Sequence, residues 1–228
     1  KEDYPKAIAV LREFGYSEVY KYKYHFPGVG KHYRRLQKEK NIAAIEIHKD
    51  FLNIKKYTKE FNYSFVEKDS QLINGINVLS FANKLNLSII ANQINDNGFY
   101  FKTIALRNAY DVFLLSKKTN AKEAVNSLNK LRHPLNCFLA ACDEVFNKLE
   151  TFEYNKNAKI ALYLRNFNNQ FSKPIRGQSK LNKIYIFIKR IFYILYKSII
   201  YKEYRVFLFK SLTDKNWYIQ KLIQFGIK

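Results

Sequence analysis

Apolar residues recur with two different periods along the chain. In the first fifteen residues Ala7, Ile8, Leu11 and Phe14 fall at the spacing of one helical face. Asp3 suits the N-cap there, Pro5 the first turn and Gly15 the stop. Over residues 19–26, Tyr20, Tyr22 and Tyr24 alternate with Lys21, Lys23 and His25, which is the period of a strand. Pro27-Gly28-Val29-Gly30 ends it, and 31–40 reads as a basic loop. A second strand is expected over 42–48, with Ala43, Ile45 and Ile47 on one face and Ala44, Glu46 and His48 on the other. Residues 50–62 are less clearly patterned. Past Asn74-Gly75 the period turns helical, with helices expected near 77–96, 101–116, 121–131 and 135–149. Asn97-Gly98 and His133-Pro134 break them. Strands first and helices afterwards predict an α+β protein, with an α/β region over 1–75 and a mostly helical region over 76–228.

The tail sharpens this picture. Residues 184–201 are apolar and aromatic, interrupted by Lys189, Arg190 and Lys197, and Lys183, Arg190 and Lys197 recur every seven residues. The longest run there without a charge, Ile191 to Tyr196, is far too short for a transmembrane span. The pattern favours a nearly buried helix of a bundle over an interfacial membrane helix.

Composition then bounds the class. Of 228 residues 47% are hydrophobic, enough apolar surface to exclude a disordered chain. Cys137 and Cys142 lie five apart in one expected helix, pointing different ways, so no disulfide is expected. Reduced thiols and the lack of a signal peptide favour the cytoplasm. With no Met, even at position 1, the sequence is expected to be a piece or a processed form of a longer chain. Lys and Arg number 40 against 19 acids, a net charge of +21, and residues 173–228 hold 13 cations and 2 acids. Such a surface attracts nucleic acid, anionic lipid and nucleotide phosphates alike, and solubility alone also accounts for it.

Chemistry concentrates at Ile45-Glu46-Ile47-His48. A carboxylate on a strand between two large apolar residues is held rigidly enough to serve a metal, and His48 shares its face; a solvated outer face of an edge strand is the plainer explanation. Lys31, Arg34 and Arg35 form a compact basic loop suited to a triphosphate or a nucleic-acid backbone, or merely solvated. The spacing of His25, His32 and His48 matches no zinc pattern. The glycine pair Gly28 and Gly30 lacks the Gly-Lys-Ser/Thr ending of a phosphate loop. Asp96 reads as a helix-ending turn, and Arg107 with Asp111 as an internal ion pair orienting a helix. No convincing Cys–His pair is apparent.

In order, these segments resemble a known family. The opening helix up to Gly15-Tyr16 resembles the helix after the catalytic Asp-x-Asp strand of bacterial nucleotidyltransferase-like proteins of the polymerase-β-type superfamily. His25-Phe26-Pro27, a basic stretch, and Glu46-Ile47-His48 are similar to its His-Leu-Pro segment and Glu-x-His strand. Asn92 to Asp96 and Leu106 to Leu115 are similar to its helical half. The likeness covers roughly residues 1–150. It implies transfer of a nucleoside monophosphate from a nucleoside triphosphate (NTP) to an unspecified hydroxyl acceptor (small molecule, protein or RNA) with Mg²⁺. Glu46 would be the third metal-binding carboxylate, His48 and His25 would line the cleft, and Lys31, Arg34 and Arg35 would face phosphates. The Gly-Ser turn and Asp-x-Asp strand would lie before Lys1, so these residues by themselves are expected to be inactive. The alternative is a non-catalytic basic module that binds nucleic acid or an anionic membrane surface.

Overall fold

The computed structural model describes residues 3–18, 33–147, 152–171 and 176–225. The expected strand over 19–26, with His25 and Lys31, lies outside them. Two compact units emerge: Lys1–Lys49 with Ile175–Lys228, and Asp50–Pro174. They do not part at residue 75. The irregular stretch after Asp50 sends Leu52 and Phe61 into the core of the helical unit, which assigns it there.

In the first unit, helix α1 (Asp3–Glu13) buries Ile8 alone, and Gly15, at φ 84°, lets the chain turn out of it. Ala7 and Phe14 are exposed. An antiparallel sheet follows in the order β1 (Tyr16–Glu18), β2 (Leu36–Lys38), β3 (Ala44–Ile45). The basic loop expected over 31–40 therefore contains a strand: Leu36 is fully buried and sits opposite both Glu18 and Ile45, and this one apolar anchor secures a polar segment. Regular pairing in β3 is shorter than the alternation over 42–48 suggested. Beyond it the Tyr33 N–H still donates to the Ile47 carbonyl at 2.7 Å.

Still in this unit, helices α9 (Arg176–Ile200), α10 (Lys202–Thr213) and α11 (Lys215–Phe225) pack on one another. The Arg205 guanidinium donates to the Ser198 and Ile199 carbonyls, closing the C-terminus of α9. The expectation of a nearly buried α9 fails. Of its described side chains Ile194 and Ser198 are buried, and most of the large apolar ones face solvent.

In the second unit, α2 (Tyr63–Glu67) leads into a hairpin, β4 (Gln71–Ile73) and β5 (Ile76–Val78). Asn74 and Gly75 turn it at φ 50° and 77°, so this pair closes a hairpin where a helical region was expected to begin. Then come α3 (Phe81–Ile90), a π-helical segment (Ala91–Asn95), α4 (Gly98–Phe101), α5 (Leu106–Ser116), α6 (Ala121–Asn126), α7 (Arg132–Val145) and α8 (Ala158–Phe171). His133-Pro134 does not break a helix. Pro134 lies in the first turn of α7, where its missing N–H has no helical partner to lose. Leu135, Phe138, Leu139 and Cys142 of α7 face the main core, while Cys137, Ala140 and Ala141 receive Ile160, Tyr163 and Phe167 of α8. Both thiols are free, buried and in different clusters.

Candidate functional site

The sheet places its charged residues at one end. In the register that sets Leu36 opposite Ile45, the next pair outward is Arg35 with Glu46. The Arg35 Nε and Nη2 both donate to Glu46 Oε1, at 3.0 and 2.9 Å. His48 Nε2 lies 3.7 Å from the other oxygen, Oε2. Glu46 and His48 thus share a face, and the carboxylate is held between a guanidinium and an imidazole. At 29% exposure for Glu46 and 57% for Arg35, this pair orients side chains more than it stabilises the fold.

Arg34 points elsewhere, pairing with Glu18 at the end of β1. The Tyr33 hydroxyl donates to Glu18 Oε1 at 2.8 Å, and Arg12 Nη2 donates to that hydroxyl at 2.7 Å. The hydrogen bonds from Arg34 and then Tyr33 hold the Glu18 carboxyl below its usual range. Burial, then Glu18, pushes the Tyr33 phenol up. Two of the cations expected to face phosphates are therefore engaged by carboxylates. Sequence reasoning missed Glu18 because its partners lie up to 16 positions away.

One carboxylate with a guanidinium on one oxygen does not make up a Mg²⁺ site, since that ion takes an octahedron of oxygens. Among the described residues no group of three or more His, Cys, Asp or Glu side chains is placed to hold a metal.

A second cluster, unforeseen, lies where α4, α7 and α8 meet. The Lys102 ammonium donates to the Phe99 carbonyl at 2.7 Å and sits 4.4 Å from the Phe99 ring and 4.9 Å from that of Tyr163, two rings that are themselves stacked. His133 meets Phe99 edge-on, and its Nδ1 is 3.9 Å from Cys137 Sγ. Burial lowers the Lys102 pKa and pushes the Cys137 thiol up to about 12, which disfavours the thiolate that a nucleophile requires.

The Asn92 to Asp96 stretch serves packing. Gln93 Nε2 donates to Asn92 Oδ1 and the Thr103 carbonyl. Asn95 accepts from the Asn53 N–H and donates to the Phe51 carbonyl, which ties down the loop after Asp50. Arg107 and Asp111, expected to pair internally, are exposed along an open groove between α3 and α5, and no ion pair joins them. No protein-family model matches the chain, and neither a curated protein nor a solved structure does.

Proposed function

We propose that this chain is part of a nucleotidyltransferase-type protein that passes a nucleoside monophosphate from an NTP to a hydroxyl acceptor, with Glu46 at the reacting edge. What carries the reading is the trio Arg35, Glu46 and His48: an oriented carboxylate at the sheet's end, between a cation and a group able to hold a proton at Nε2. Enzymes of this class work with Mg²⁺. The described residues alone do not hold that ion, so the role given to these side chains is to present an ordered carboxylate beside cations. Lys31 and Arg34 belong to the same reading as phosphate-facing cations, and for Arg34 a phosphate would have to displace Glu18. Transfer from a labelled NTP, measured with Mg²⁺ on the complete protein, tests it. Glu46→Gln lowers the rate by about a hundredfold or more with the thermal midpoint kept, and an unchanged rate sinks the assignment.

The second reading is a non-catalytic basic module for a polyanion, either nucleic acid or an anionic membrane surface. It is favoured by exposed aromatic and aliphatic side chains on α9 and α10, in a segment with 13 cations and 2 acids. Binding that falls steeply with salt and needs neither Mg²⁺ nor Glu46 supports it; failure to bind any polyanion removes it. Both readings place the chain in the cytoplasm, in keeping with its free thiols.

A further inference from the structure

Helix α9 wears its apolar residues on the outside. Ile194 and Ser198, one turn apart, are buried, as are Tyr204 and Ser211 of α10, and Tyr193 packs edge-on against Tyr204. Lys197, part of the seven-residue cationic repeat, is half-buried, within 5.0 to 5.9 Å of the rings of Tyr193, Tyr196 and Tyr201. Away from that seam, Leu181, Tyr185, Ile188, Phe192, Leu195 and Ile199 follow one another at intervals of four and three. That spacing lines them up as one stripe along the helix. Each is between 42 and 78% exposed. An apolar stripe of this length marks a docking surface.

We propose that this stripe lies in the interface of an anionic lipid bilayer. Charge argues first: the 13 cations and 2 acids of this segment would be drawn to anionic headgroups, whereas a second copy of the chain would bring the same positive charge against it. The kinds of side chain argue next. Leu181, Ile188, Leu195 and Ile199 have no use for nucleobases, which stack on aromatic rings, but enter the acyl boundary readily. Tyr185 suits the headgroup level, and exposed Lys189, Lys202 and Lys210 supply cations from α9 and α10. Among the described residues no helix is long and apolar enough to cross a membrane, so α9 lies along the surface. This names the partner in the second reading and rests on it; it does not depend on Glu46.

The test uses the whole chain with extruded vesicles, either of phosphatidylcholine alone or with roughly a third phosphatidylglycerol, sedimented at low salt. Binding is expected only to the anionic vesicles. It falls by about tenfold or more in the double variant Phe192→Glu/Ile199→Glu, and stays unchanged in Leu162→Glu, a comparably exposed leucine on α8. Circular-dichroism melts establish that each variant folds. Undiminished binding of the double variant overturns the proposal. So does a dimer that the double variant dissociates while vesicles are ignored, which would make the partner a second copy. Salt-sensitive binding of single-stranded RNA without vesicle binding overturns the membrane assignment and leaves the module reading standing; binding to neither ends both.

Discussion

Helices α7 and α9 are both rich in large apolar side chains, and they come to rest in opposite surroundings. Nine consecutive residues of α7, Pro134 to Cys142, are buried, whereas α9 buries Ile194 and Ser198 among its described side chains and exposes most of its aliphatic and aromatic ones. The difference lies in the neighbours. α7 is covered by α3, α6 and α8 on different sides, and Cys137, Ala140 and Ala141 are small enough for α8 to come close. α9 packs on α10 and α11 through a narrow seam. Apolar character sets what a helix gains by burial; the number of faces its neighbours cover sets how much it buries.

The largest effect expected from this contrast separates two phenylalanines. Phe138→Ala in α7 costs about 3–5 kcal/mol in urea denaturation, by opening a cavity in a fully packed core. Phe192→Ala in α9 stays within about 0.5 kcal/mol. Equal losses would mean that α9 is packed after all.

A smaller effect probes the polar packing around the helical core. A Cβ at Gly98 would stand 2.8 Å from Asn92 Oδ1, 2.9 Å from the Asn92 carbonyl and 2.9 Å from that of Thr103. Gly98→Ala therefore costs about 1–3 kcal/mol, because backbone must shift. A neutral outcome in the same denaturation experiment would mean that the π-helical turn yields easily.

The smallest effect concerns pH. Burial, then the charges of Lys159 and Lys102, holds His133 of α7 below the usual imidazole range. As pH falls through that range the unfolded chain takes up this proton first, so stability is lost; above the range both states are neutral and His133 contributes nothing. Urea midpoints at about pH 7.5 and 5.5 should fall further in the wild type than in His133→Gln. Equal falls would place His133 in open solvent.

How much of this was legible depends on how local each signal was. The α+β class, the helices near α3, α5 and α7, and the grouping of Glu46 with His48 followed from periodicities that neighbouring residues create. The strand at Leu36 was hidden, because one buried leucine among Arg34, Arg35 and Lys38 leaves no alternation to read. Asn74-Gly75 carried a strong hairpin signal, obscured by the helical pattern that follows. Neither the Glu18 cluster nor the Lys102 cluster had a local signature, since each draws partners from distant parts of the chain.

By itself, then, the sequence determined the periods, the net charge, the free thiols and the pairing of Glu46 and His48 on one face, all properties of residues a few positions apart. Tertiary structure decided that Arg34 and Arg35 spend their charge on Glu18 and Glu46, that the stretch from Phe51 to Val66 joins the helical core, and that α9 turns its apolar stripe outward. Those outcomes turn on which surfaces meet, and residues far apart in the chain settle that only when it folds.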